Sequence, residues 1–127
     1  MDSKRNYQLG LLNLVHLLMN ADGVIDDNEK QALVRLKKFE DIPDALFQEF
    51  ENGIATKKHR EIYELGIDFI NQCSDEEKLK AFVHLYKMTE VDGHIHVKEV
   101  RLLLYSIKMA HIEFSDVIAL AAKTAAY

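Results

Sequence analysis

The sequence predicts an all-α protein, a compact bundle of about seven helices arranged as two related helix–turn–helix halves. Three observations predict this fold class. Apolar residues recur at the 3.6-residue spacing of helices along almost the whole chain. Only one proline and five glycines interrupt the 127 residues, and a short Asp-Gly motif occurs twice, each time between apolar segments. At this length a single domain, residues 1–127, can bury a core without disulfides.

The first part of the chain is expected to form three helices. The first runs over about residues 6–20 and ends at Asp22-Gly23, because glycine readily takes the left-handed conformation of a helix terminus. The second covers about residues 27–39. A short third helix covers about residues 43–53 and begins at a proline, which suits the first helical position.

Four further helices are expected in the remainder. Thr56 can cap the fourth, and Ser74 with Glu77 forms the capping-box pattern that opens the fifth. The fifth runs to the second Asp-Gly pair, and the sixth covers about residues 97–110. Ser115 is expected to cap a last, alanine-rich helix.

An internal repeat relates the two halves. Superposing the Asp-Gly pairs places position 22 of the chain on position 92. At that offset four motif residues coincide with identical residues: Asp22, Gly23, Ile25 and Glu29 with Asp92, Gly93, Ile95 and Glu99. Each copy follows one apolar helix and precedes another. We therefore expect two helix–turn–helix halves that pack face to face around one core.

The spacing of the repeated motif can be compared with that of an EF-hand loop, in which oxygen ligands surround a glycine and a glutamate closes the site. The candidate metal ligands are five carboxylates: Asp22, Asp26, Glu29, Asp92 and Glu99. An all-oxygen set predicts a divalent cation, calcium or magnesium rather than zinc. The first ligand position holds Leu18 in one loop and Met88 in the other, so neither loop is a complete EF-hand. A site shared between the two loops would make up for the missing ligand.

The same carboxylates also have a purely structural interpretation. Asp22 and Asp92 can bond backbone N–H groups of their turns, and Asp26 can cap a helix. Glu29 and Glu99 lie in first helical turns, where the helix dipole stabilises a carboxylate by about 0.3–1 kcal/mol without any metal. Both interpretations stay open at this point.

Composition excludes several classes of function. The net charge is −5, and basic residues cluster only at 37–38 and 57–60, which argues against nucleic-acid binding. The apolar stretch 9–19 is shorter than the ~20 residues of a membrane span, and the lone Cys73 suits a reducing compartment. No nucleophile–base pair, phosphate-binding loop or cofactor motif is visible. We therefore expect a non-enzymatic cytoplasmic protein without membrane insertion.

Histidines and aromatic residues are interpreted as structural. His16 and His84 lie in apolar helices and are expected to be packed rather than to bind metal. Seven aromatic side chains are expected in the core: Tyr7, Phe39, Phe47, Phe50, Phe69, Phe82 and Phe114.

The two motifs carry a family resemblance. The stretch from Asn20 to Glu29 resembles the signature of the tellurite-resistance TerB family, which includes the N-terminal domain of the DjlA co-chaperone. The stretch from Glu90 to Glu99 resembles the family's second signature. The resemblance covers nearly the whole chain and implies seven or eight helices, neighbouring acidic turns and divalent-cation binding in bacterial stress and metal-resistance systems. His96 stands where the family favours an acid, so the first copy is the better candidate site.

These observations predict a TerB-like, divalent-cation-responsive binding or regulatory module with a protein partner, acting as a monomer or weak dimer. Apart from the cation, no cofactor is expected. The alternative is a protein-interaction scaffold without bound metal, in which the acidic turns serve only as helix caps.

Overall fold

A computed structural model describes residues 3–20, 27–89 and 97–124, with the backbone alone described at residue 3 and residues 97–100. Within these ranges the chain forms seven α-helices and no strand, which confirms the predicted fold class. They are α1 (Ser3–Met19), α2 (Asp27–Phe39), α3 (Asp44–Ile54), α4 (His59–Asn71), α5 (Asp75–Thr89), α6 (Val97–Met109) and α7 (Phe114–Ala121). In this part of the chain no helix combines the length and apolarity needed to cross a membrane.

Helix α1 lies at the centre of the core because it carries apolar residues on several faces. Four consecutive or neighbouring side chains are at most 1% exposed: Leu11, Leu12, Leu14 and Val15. The main core joins α1 to residues of α2, α4, α5, α6 and α7. A smaller apolar cluster, which includes Ile42, Leu46 and Phe50, packs α3 against α1.

Helices α1 and α4 run antiparallel and approach each other closely. Asn6 near the start of α1 donates a hydrogen bond to Gln72 just beyond α4. A Cβ atom added at Gly10 would lie 2.8 Å from Cγ1 of Ile70, and one added at Gly66 would lie 3.0 Å from Cβ of Asn13. Glycine in a helix costs about 0.5–1 kcal/mol relative to alanine. The close helix contact offsets that cost.

Helix α5 begins with the predicted capping box. The N–H of Ser74 donates to Oε1 of Glu77 at 3.1 Å, and the N–H of Glu77 donates to Oγ of Ser74 at 3.2 Å. The helix then contributes the fully buried Phe82 to the main core, beside α1 and α7. The local capping signal and the apolar pattern therefore define α5 together.

The internal repeat extends well beyond the motif that revealed it. At the offset that superposes the two motifs, α6 and α7 begin at the positions equivalent to the starts of α2 and α3, and α6 ends at the position equivalent to the end of α2. The turns after α2 and α6 place Asp41 and His111 at positive φ values of 52° and 60°. In each turn the next residue, Ile42 or Ile112, donates its N–H to the carbonyl five residues earlier, at 2.9 and 3.1 Å. Both helices therefore end in the same Schellman-type cap.

Two predicted caps are wrong. Thr56 does not cap α4, because the turn after α3 continues past it; α4 starts after Lys58, whose N–H donates to Oε1 of Glu61. Ser115 lies inside α7, whose N-cap is Glu113. In both cases the backbone enters the helix at a residue other than the nearest hydroxyl side chain.

Candidate functional site

The predicted acidic site falls mainly outside the described residues. Asp22, Asp26 and Asp92 lie beyond the described ranges. Glu99 lies in α6, but its side chain is not among those described. The cation site therefore stays a prediction.

Glu29 is the member of that set whose environment is described. It lies in the first turn of α2 and is only 4% exposed, whereas Asp27 in the same turn is exposed. A carboxylate withdrawn from water needs favourable partners, and both a helix N-terminus and a cation can provide them. Among the described residues, no three His, Cys, Asp or Glu side chains form a group suited to a metal ion.

A second polar site was missed at the level of sequence. Four side chains from three segments meet beside the core, and we call them the Glu40 cluster: Tyr7, Glu40, Lys80 and His84. The Glu40 side chain, directly after α2, is only 3% exposed. Nζ of Lys80 lies 3.0 Å and Nε2 of His84 lies 3.5 Å from Oε1 of Glu40. These contacts are electrostatic and not well-aligned hydrogen bonds.

The environment keeps Glu40 ionised. Burial by itself would raise the pKa of this carboxyl group, but interactions with His84, Tyr7 and Lys80 outweigh burial and lower the pKa from 4.5 to about 2. The backbone carbonyl of Glu40 also accepts a hydrogen bond from Nε2 of Gln8 at 3.0 Å. The C-terminal end of α2 is therefore tied to both α1 and α5.

A depression of about 300 Å³ borders the cluster. One of its lining side chains, Phe39, is 64% exposed, so the prediction that Phe39 belongs to the core is wrong. The reason is its place at the end of α2, where its ring rests edge-on against His84 with 5.3 Å between centroids. Phe114 is 38% exposed and also departs from the core prediction, whereas His84 is buried as expected.

The chemistry of the Glu40 cluster favours a structural connection between helices. A general base works best with a pKa near the working pH, and a carboxylate with a pKa of about 2 is a poor proton acceptor at neutral pH. Its charge is instead balanced by Lys80. The spacing of Lys80 and His84, one helical turn apart on α5, could have indicated a nearby counter-charge. It could not have indicated which of the 21 acidic residues supplies it.

Comparisons with known proteins match no family model, no curated protein and no solved structure. The TerB-like resemblance therefore stays a prediction from the sequence.

Proposed function

We propose that this chain is a non-enzymatic, TerB-like domain that acts as a divalent-cation-responsive binding or regulatory module of the stress or metal-resistance type. The observation that carries the proposal is the burial of Glu29 at the start of α2, the last residue of the first copy of the repeated motif. Glu29 would bind the cation together with four other carboxylates, Asp22, Asp26, Asp92 and Glu99, so that every protein ligand would be an oxygen atom. Such a set suits calcium or magnesium.

The positions of the motifs suggest how a cation would act on the fold. The first motif connects α1 to α2 and the second connects α5 to α6. A cation bound to the first motif and Glu29 would favour one angle between α1 and α2, because a ligand stabilises the conformation that it binds best. Glu40 at the far end of α2 would pass that change to α5 through Lys80.

Thermal unfolding in EDTA and with calcium, magnesium, manganese or zinc tests the proposal. A cation present at 100 times its Kd should raise the free energy of unfolding by about 2.7 kcal/mol. The variants Glu29→Gln and Asp22→Asn should lose most of that increase. Glu76→Gln is a matched control, because Glu76 is an exposed acid in the first turn of α5. An unmutated protein that melts identically in EDTA and in every metal contradicts the proposal, as does a metal effect that survives both variants.

The second candidate function is a metal-free protein-interaction scaffold. It is favoured by five apolar side chains on α6 and α7 that are 37–55% exposed: Leu104, Tyr105, Met109, Phe114 and Ile118. Exposed apolar side chains mark an interaction site where they form one contiguous patch. In either case we propose a cytoplasmic domain, monomeric or weakly dimeric, with a protein partner.

A further inference from the structure

A groove of about 370 Å³ opens between α1, α4 and α6. We call it the tyrosine groove, and its lining residues are Leu17, His59, Arg60, Tyr63, Leu102 and Tyr105. Among the described residues, the groove shares no lining residue with the Glu40 cluster. The lining combines apolar and aromatic side chains with two basic ones, and ligand pockets are commonly apolar and aromatic with a few polar groups.

Two tyrosines form the walls of the groove. The ring centroids of Tyr63 and Tyr105 lie 5.7 Å apart, with 33° between the ring planes. Tyr63 is half-buried, and its hydroxyl lies near the buried side chain of Ser106. Tyr105 is 55% exposed. Tyrosine side chains have few rotatable bonds, so they lose little entropy on binding, and they commonly anchor a partner's apolar side chain.

The charge of the tyrosine groove selects an acidic ligand. The lining contains His59 and Arg60 and, among the described residues, no acidic side chain, although the chain as a whole carries a net charge of −5. Nε of Arg60 lies 3.0 Å from Oε1 of Glu64, one turn along α4. Exposed pairs at this spacing are worth only about 0.3–0.5 kcal/mol. A carboxylate from a ligand can therefore replace Glu64 at little cost.

We propose that the tyrosine groove binds a short acidic segment of a partner protein. An apolar side chain of the segment lies between Tyr63 and Tyr105, and an adjacent carboxylate pairs with Arg60. Small-ligand pockets span about 300–1,000 Å³, and a volume near the lower end accommodates one or two side chains and not a whole helix. This interaction goes beyond the proposed cation response and does not require bound metal.

Fluorescence anisotropy with a defined probe tests the proposal. The probe is a short fluorescein-labelled peptide with a central Leu-Phe pair flanked by aspartates and glutamates, titrated with the full chain in EDTA. The acidic peptide should bind, and the Kd should rise about tenfold in Arg60→Glu and in Tyr105→Ala, as expected when an anchor is removed. Binding should also weaken with added salt.

Arg35→Glu is the matched control. Arg35 is exposed on α2 at the position that the repeat relates to Tyr105, and its variant changes the net charge by the same amount as Arg60→Glu. Its Kd should stay within about twofold of the unmutated value, because Arg35 does not line the groove. Far-ultraviolet circular dichroism checks that all variants fold; the side chain of Arg60 is 88% exposed.

Three results would overturn the proposal. They are equal binding of a peptide with lysines in place of the acids, unchanged affinity in both groove variants, and no binding of the acidic peptide, whether or not phosphatidylserine vesicles bind. Because the titration is carried out in EDTA, failure of peptide binding leaves the cation proposal standing. Failure of the metal experiment likewise leaves the tyrosine groove untouched.

Discussion

The halves α1–α3 and α5–α7 share one backbone frame but differ in the chemistry at its junctions. In both, a side chain of the first helix reaches the carbonyl at the C-terminal end of the second. Nε2 of Gln8 donates to the carbonyl of Glu40 at 3.0 Å, and Nζ of Lys78 donates to that of Ala110 at 3.5 Å. The repeat relates Gln8 to Lys78 and Glu40 to Ala110. The shared backbone arrangement therefore depends on a hydrogen bond to the carbonyl group at the end of the second helix, and different side chains can donate it.

The side chains at the same junctions differ sharply. Glu40 is buried among Tyr7, Lys80 and His84, whereas its counterpart Ala110 is buried without any side-chain charge. Helix α4 connects the halves and has no counterpart among the described residues. The comparison shows that the repeated frame accepts a buried carboxylate at one junction and a small apolar residue at the other, with a different side-chain donor to the backbone carbonyl in each.

The strongest test of the difference between the two junctions is to replace Glu40 with alanine, the residue found at the equivalent position 110. We expect Glu40→Ala to lower the free energy of unfolding by about 3 kcal/mol, because removing one partner of a buried pair leaves the other uncompensated. The half-exposed Lys80 can turn toward water, which keeps the loss at the lower end of the range. Urea unfolding at neutral pH measures the change.

Acid unfolding provides a control with a defined sign. The folded-state pKa of Glu40 is lowered from 4.5 to about 2, so its stabilisation is complete above pH 4.5 and is lost as the pH falls toward 2. Glu40→Gln should remove this part of the acid sensitivity. A loss below about 1 kcal/mol for Glu40→Ala, or the same acid profile for Glu40→Gln, would show that the buried carboxylate contributes little to the stability of the first junction.

The second test concerns the close contact between α1 and α4, the helix without a counterpart in the repeat. In Gly66→Ala the new Cβ would lie 3.0 Å from Cβ of Asn13, which cannot move without the backbone. Overpacking should cost about 2 kcal/mol and helix propensity should return about 1, so we expect a net loss of about 1 kcal/mol. Thermal unfolding monitored by circular dichroism measures it.

Gly53→Ala is the matched control for this contact. An added Cβ at Gly53 meets only the flexible end of Lys57 at 3.4 Å. Alanine should therefore stabilise α3 by about 0.5–1 kcal/mol. The two glycine variants should shift stability in opposite directions; equal stabilisation by both would contradict the tight α1–α4 contact.

The smallest expected effect tests whether the C-terminal caps of α2 and α6 are equivalent in energy. Asp41 and His111 both hold positive φ, which glycine adopts without strain. Asp41→Gly and His111→Gly should each raise the free energy of unfolding by about 0.5 kcal/mol, the relief of strain exceeding the added entropy of the unfolded chain. Chemical denaturation of both variants in parallel provides the measurement. Changes of opposite sign would show that the two caps share a backbone conformation but differ in energy.

Sequence reasoning succeeded where a local signal specifies the structure. It predicted residues 27–39 for α2, which the structure confirms, and the capping box that opens α5. It also found the internal repeat from two short motifs. It failed at the N-terminus of α4 and at Phe39, whose exposure depends on the path of the chain after the helix.

The sequence by itself determined the helical class, the order of the helices and the existence of two related halves, because helical periodicity, caps and breakers act within a few residues along the chain. Only the tertiary structure decided that Glu40 meets Lys80 and His84, and that Tyr63 meets Tyr105 beside Arg60. These partners lie on separate helices. Their meeting depends on how the helices pack, and α4 packs closely on α1 because glycine occupies positions 10 and 66.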